Sequence, residues 1–566
     1  MTPREEKAMG LTGSFAMIRL HDHTVVISLR QVVELGLEDF AVEVLAHEIG
    51  HHVYCPADLA DNARLMARIR AGLPTKEHLA PFVANLYSDL LINDRLQRGA
   101  QLNMPGVYDR FVSSTDRLWT LYMRIYELLW RLPRGQHAKG AIDQRLNQDA
   151  QLGARLVRSY SKDWLDGAGR FAALCLPYLL DEAERLQRCL APWLDTQAAG
   201  RGYIPDGLSA IDPYEVEGAI HPSEDPELSG VEADNEASHA LPDDTRIGGW
   251  KTPKSFRSPV EYLDVLRAAG VDVDERQIVA KYYRERALPH LIRFPARTAP
   301  QATDPLLEGL EIWDIDSPVN EIDWLGTLIN SAQVIPGLTT RRREFGHSPD
   351  GDPDQTPIDL YLGVDCSGSM GNPAHHLSYP ILAGAIIAIS AIRSGSKVQV
   401  ALSGEPGRTV TTDGFIRQPQ IILKTLTDYL GTGYAFGIHR LRDTFDHLPR
   451  GARPIHILIV SDNDTFAMLD SQADDGRRSS KETGDEISND ETGWQVAQRA
   501  LQAARGGGTF VLELPEHVVS GTWSQPTQEY LDRIRSIGWN VAIVSSMDQL
   551  VEFARQFSQR YAEAIV

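Results

Sequence analysis

The stretch "IDLYLGVDCSGSMGNP", Ile358 to Pro373, decides the fold class of the C-terminal half. A near-continuous apolar run of strand length stops at Asp365, and small polar residues with two glycines follow. Strands buried on both faces read this way, whereas half-solvated strands alternate. Outward from it the pattern repeats: "KVQVALSG", "IHILIVSD", "TFVLEL" and "WNVAIVSS" are short apolar runs. They are separated by helical stretches such as "ILAGAIIAISAIRSG", "WQVAQRALQAARGG" and "MDQLVEFARQFSQRY". Strands interleaved with helices predict a doubly wound, mainly parallel α/β sheet over residues 356–566. Within it, "DSQADDGRRSSKETGDEISNDETG" reads as a disordered surface insertion.

In such a sheet, ligands bind beyond the carboxyl ends of the strands. Asp365, Ser367 and Ser369 stand there in DxSxS spacing, offering one carboxylate and two hydroxyls. That donor set suits a hard cation that keeps several waters, magnesium before zinc. Thr432 in "YLGTGYAFG" and Asp462, at another strand end, can complete it. Asp464 can reach the same place, or serve only the turn "SDNDT". This ordered set resembles the metal-ion-dependent adhesion site of von Willebrand factor A (VWA) domains. The resemblance implies Asp365, Ser367, Ser369, Thr432 and Asp462 in the magnesium roles, and a partner protein that presents an acidic side chain to the ion. Many relatives carry Asp-Gly where this chain has Asp462-Asn463. Asn tolerates the left-handed conformation, so the loop is expected to survive the change.

A second motif lies near the N-terminus, in "LAHEIGHHVYCP", Leu45 to Pro56. His47 and His51 are four apart and share one helix face, where they can hold a single ion. Glu48 stands in the general-base position of HExxH. Phe40, Val44 and Leu45 supply an apolar side at helical spacing, and Gly50 would let another segment approach closely. The third ligand is expected from the helix "FVANLYSDLLINDRL". There Asn85, Asp89 and Asn93 are spaced by four, so that Asp89 is a ligand flanked by two supporting amides. The competing reading makes those three a solvated helix face. Asp94, Glu77 and His78 are fallback ligands, and His52, one step off the ligand face, is a packed or supporting histidine.

This region resembles the zincin metallopeptidases, and more narrowly the metallopeptidase domain that occurs fused to VWA-like domains in bacteria. In that family HExxH precedes a helix of the form NxxxDxxIN, matched by Asn85, Asp89, Ile92 and Asn93. The resemblance implies zinc held by His47, His51 and Asp89, with Glu48 as base. The stretch "PGLTTRRREFG" is similar to bacterial VWA proteins that operate beside MoxR-type AAA+ ATPases.

Five zones follow: an α+β zincin-like domain over 1–100, a helical extension over 101–201, a linker over 202–250, a connector over 251–355 and the VWA domain over 356–566. Residues 202–245 contain no Lys or Arg and many Asp and Glu, a composition that predicts a flexible acidic linker. The aromatic and leucine stripes of the extension read as core.

At 566 residues, with 42% hydrophobic and 23% charged content, the chain has the composition of globular protein. A formal charge of −21 opposes nucleic acid and acidic lipid, and favours basic partners or cations. Four scattered cysteines lack metal or disulfide spacing, which predicts a reducing compartment. No run reaches the roughly 20 apolar residues of a membrane span, and the N-terminus lacks a signal core, so a cytoplasmic protein is expected. No Walker-type loop is present, so ATP-driven work would need another chain. Two functions follow as expectations. One is a zinc peptidase coupled to a magnesium-dependent VWA binding module. The other is a non-catalytic VWA adaptor for an AAA+ ATPase, with a structural or vestigial zinc site.

Overall fold

The computed structural model describes residue 11 and residues 15–110, 114–180, 202–229, 256–294, 296–298, 306–346, 355–403, 409–433, 435–449, 451–471, 491–514 and 525–563. Residues 472–490 of the insertion expected over 470–493, and the second half of the expected linker, 230–250, lie outside them. The chain forms two compact units. The first is Met1–Pro289 with Gly371–Leu382 and Leu426–Gly431; the second is His290–Met370, Ala383–Thr425 and Thr432–Val566. No helix among the described residues is long and apolar enough to cross a membrane.

The first unit opens with an antiparallel hairpin, β1 (Ala16–Arg19) and β2 (Thr24–Ile27). Helices follow: α1 (Ala41–Val53), α2 (Leu59–Ala71), α3 (Ala80–Gly99), α4 (Arg117–Trp130), α5 (Gln144–Ser159), α6 (Trp164–Leu179), α7 (Pro259–Ala268) and α8 (Glu275–Ala287). Their starts are set by local chemistry. Asp58, Asp116 and Asp143 cap α2, α4 and α5 by accepting from backbone N–H groups that have no partner inside the helix. At the start of α3, Pro81 sits where its missing N–H costs nothing. α3 is the axis of the unit, touching α1, α2, α4 and α6. Surrounded in this way, it is buried from Ala80 to Leu96 on almost every side, which is why its sequence is only weakly amphipathic.

Three sequence expectations change here. On α1, Val44 is buried and Phe40 packs beside it, but Leu45 faces solvent together with Val42, Ile49 and Val53. The acidic segment over 202–229 is docked, not free. Asp212 pairs with Arg68, Asp225 with Arg170 and the Tyr160 hydroxyl, and Glu215 with Arg257. Its carboxylates match arginines that lie far away in sequence. The former connector is also divided, because α7 and α8 belong to the first unit.

The second unit contains two small hairpins and one large sheet. β3 (Ala296–Thr298) pairs with β6 (Gln355–Pro357). β4 (Leu306–Ile312) pairs with β5 (Arg341–Gly346), with helix α9 (Trp324–Asn330) between them in the chain. The sheet comprises β7 (Asp359–Asp365), β8 (Val398–Ser403), β9 (Thr409–Thr411), β10 (Ile455–Asp462), β11 (Arg505–Glu513) and β12 (Asn540–Ile543). Its order is β12-β11-β10-β7-β8-β9, and every pairing is parallel except β8 with β9. Numbered along the chain this is 6-5-4-1-2-3, the doubly wound order, compatible with a Rossmann-like or VWA-like fold. Tyr361, Ile457, Ile459, Phe510 and Leu512 share one core with Trp494 of α10 (Gly493–Ala504). The alternate residues Leu360, Leu362, Val364, Leu458 and Val460 are equally buried. Both faces of the sheet are therefore covered.

Candidate metal centres

α1 and α3 approach closely because Gly50 permits it: a Cβ there would stand 2.5 Å from Ile92 Cγ2. The contact brings His47, His51 and Asp89 together, with one ligand atom from each lying within 4.8 Å of the others. His47 Nε2 is 3.6 Å and His51 Nε2 is 3.7 Å from Asp89 Oδ1. Second partners orient each group. The Cys55 carbonyl, 3.2 Å from His51 Nδ1, can only accept, so that nitrogen carries the proton and Nε2 is the ligand atom. His47 Nδ1 lies 2.7 Å from Asn93 Oδ1. The Asn93 amide nitrogen donates to the Tyr108 and Tyr126 hydroxyls, at 3.0 Å each. That fixes which end of the amide faces His47, and makes the imidazole the donor. Asn85 Nδ2 donates to Asp89 Oδ2 at 3.1 Å, which turns Oδ1 toward the histidines.

Asn85, Asp89 and Asn93 are all buried, which rules out the solvated-face reading. Of the fallback residues, Asp94 pairs with Arg98, and Glu77 accepts from Thr75 N. Neither these two nor His78 joins the cluster. His52 turns away from it: its Nδ1 meets the Ala57 carbonyl, and its ring lies 3.8 Å from that of His23. Glu48 is only 2% exposed, while the His47 side chain retains 16%. Sequence reasoning missed the tyrosines behind Asn93. Tyr108, Tyr122 and Tyr126 join hydroxyls at 3.0–3.1 Å, and burial pushes all three phenols well up, so they remain neutral.

The residues fit a zinc ion. Two imidazole nitrogens and a carboxylate oxygen converge, each held from behind by a hydrogen bond, as metal ligands are. Among the described residues no fourth His, Cys, Asp or Glu joins them.

In the second unit, Asp365 ends β7 and Asp462 ends β10, on either side of the point where the strand order reverses. Asp365 Oδ1 accepts from Ser367 N at 2.7 Å and Oδ2 from the Ser461 hydroxyl at 2.6 Å. The Ser367 and Ser369 hydroxyls are 2.9 Å apart. Thr432 is tied to the same loop through backbone, its N–H reaching the Cys366 carbonyl and its carbonyl accepting from Gly368 N. Burial, reinforced by the Asp462 charge, raises the Asp365 carboxyl to about 6 despite those hydrogen bonds. Glu513, paired in register with Asp462, is pushed up to about 7 by burial and the same charge. Asp464 donates its N–H to Asp462 Oδ1 at 2.8 Å, as a turn residue does. Ser461 and Glu513 are additions that only the strand register reveals. The oxygen-rich donor set and the mutual repulsion of its carboxylates fit a hard divalent cation.

No known family model matches the sequence, and no curated protein matches it closely enough to count as a relative. Solved structures that align with it do so weakly. The pilus adhesin SpaC from Lactobacillus rhamnosus GG, in its open conformation, aligns at 14% identity over 37% of this chain and 30% of that one, with a TM-score of 0.25. The PilB minor pilin from Streptococcus sanguinis aligns at 16% identity over 38% of this chain and 64% of that one, with a TM-score of 0.24. The chain thus spans less than two thirds of either protein, and TM-scores this low do not establish a shared fold.

Proposed function

We propose that the chain is a zinc-dependent peptidase coupled to a VWA-type, magnesium-dependent protein-binding module. The observation that carries the peptidase reading is the incomplete ligand set. A structural zinc site is closed by four protein ligands, whereas a catalytic one has three and leaves a position for water or substrate. His47, His51 and Asp89 would hold the ion, and among the described residues no fourth His, Cys, Asp or Glu joins them. Zinc, when bound, supplies a Lewis acid that polarises a carbonyl and makes water a nucleophile near neutral pH.

The protein's own part is proton handling and orientation. Glu48, adjacent to His47, takes the proton from the attacking water and delivers it to the departing amine. Asn93 and the Cys55 carbonyl keep both imidazoles in the Nδ1–H form while charge shifts at the centre. At the other site, Asp365, Ser367, Ser369, Thr432 and Asp462 would hold magnesium and leave a coordination position for a partner's carboxylate. A MoxR-type AAA+ ATPase is the kind of partner the resemblance suggests.

The near-complete burial of Glu48 favours the second reading, a non-catalytic adaptor, because a general base must meet its substrate's water. Glu48→Gln separates the two. Zinc retained at one equivalent with peptidase activity lost supports the enzyme. A parent protein that holds zinc yet cleaves no peptide in a diverse library establishes the adaptor.

A further inference from the structure

One cavity in the first unit, of about 350 Å³, is basic in a chain that is acidic. It lies where α3, α4 and α5 end. Its walls are Gln97, Arg98, Leu129, Trp130, Arg131 and Arg158, with no Asp or Glu among them. Three guanidiniums around one small opening repel each other and raise the local concentration of anions. Arg98 Nε donates to both Asp94 oxygens at 2.9 Å, and Arg158 Nη2 donates to the Leu129 carbonyl at 2.8 Å. Each is thereby fixed in direction and keeps further donors, since a guanidinium has five N–H groups. Arg131 makes no side-chain hydrogen bond or ion pair among the described residues. It also stands in the left-handed region, at φ 58°, where a helix end ordinarily places glycine.

Basic residues near helix C-termini commonly answer the helix dipole. Here backbone N–H groups already take terminal carbonyls: Ala100 and Leu102 that of Leu96, Arg131 and Leu132 that of Glu127, and Tyr160 that of Leu156. The wall is firmly packed. The Trp130 ring lies 4.4 Å from that of Tyr126 and rests against Ile92, Leu96 and Met104. Its indole N–H is buried without an acceptor among the described residues, an uncommon state for a buried donor. The volume is that of a small-molecule site. Guanidiniums grip phosphate and carboxylate alike, through paired N–H···O bonds. With Asp94 neutralising one of the three, two positive charges remain. That is close to the charge of a phosphomonoester near neutral pH, whereas a monocarboxylate would leave one cation unmatched. We propose that this cavity binds the phosphate group of a small molecule, with Arg131 and Arg158 as its main contacts. The site stands apart from both metal readings.

Calorimetric titration of the full chain tests this, after chelation and dialysis so that no metal ion can hold the anion. Inorganic phosphate, phenyl phosphate and acetate are the probes. Phosphate should bind at one equivalent, more weakly as salt is added, and acetate far more weakly. Tighter binding of phenyl phosphate identifies an organic phosphate as the ligand; binding no tighter than phosphate identifies the free ion. Arg131→Gly relieves the left-handed position, so the thermal midpoint should hold while affinity falls at least about tenfold. Arg158→Ala should weaken binding in the same way. Arg145→Ala, at the other end of α5, should leave it unchanged. The proposal is overturned if phosphate and phenyl phosphate show no saturable binding at millimolar concentration, or if acetate binds as tightly. Affinity unmoved by Arg131→Gly or Arg158→Ala, or lowered equally by Arg145→Ala, overturns it too.

Discussion

Asn93 is the residue on which the proposed zinc site turns. Its amide oxygen accepts the His47 Nδ1–H, and its amide nitrogen donates to two tyrosine hydroxyls. Replacing it with Ala leaves His47 free to rotate and to present the wrong nitrogen. We expect Asn93→Ala to weaken zinc by 10–100-fold, the usual cost of losing a supporting hydrogen bond, measured by competition with a chromophoric chelator. Tyr126→Phe should cost less, because Tyr108 still accepts from the amide. Histidines four apart were legible because helical spacing is local, and Asp89 was legible as the middle of a polar stripe. The tyrosines were not. An aromatic stripe that lines a core and one that also carries a chain of hydroxyls have the same periodicity, and only the packing of α4 against α3 tells them apart.

Elements set the distances that residues then use. Gly50→Ala would place a methyl group 2.5 Å from Ile92 Cγ2, so α1 and α3 must separate. Overpacking of this kind costs about 1–3 kcal/mol. Here it also pulls the histidines from Asp89, so zinc stoichiometry should fall along with the thermal midpoint.

A second test belongs to the sheet. His456, on β10, is sealed in: Nδ1 donates to the Gly506 carbonyl at 3.0 Å and Nε2 accepts from the Thr509 hydroxyl at 3.2 Å. Burial holds its pKa down at about 4, against about 6.5 in the unfolded chain. Above pH 6.5 both states are neutral. Between 6.5 and 4 only the unfolded state takes up the proton, so stability falls with pH by up to about 3 kcal/mol and then levels off. Denaturant titrations across that range should show the slope, and His456→Gln should flatten it. Continuous apolar runs made these strands readable from sequence. The docking of 202–229 was hidden because a carboxylate's partner arginine can sit 42 to 144 positions away, and composition alone cannot pair them.

At the scale of the whole molecule, the two candidate cation sites fall in different compact units, one with nitrogen-rich and one with oxygen-only donors. An ion that binds the folded state alone stabilises by the logarithm of its saturation, about 4 kcal/mol at a thousandfold excess over Kd. The two ions should therefore act separately. In calorimetry of the full chain, a zinc-selective chelator should lower one transition and leave the response to magnesium intact. Asp365→Ala should abolish the magnesium response and leave zinc content unchanged, because Asp365 and His47 lie in different compact units. A net charge of −21 sharpens the test, since non-specific cation screening would shift both transitions together and would survive Asp365→Ala. Only the site-specific pattern, with one ion and one unit answering each substitution, is consistent with two built centres.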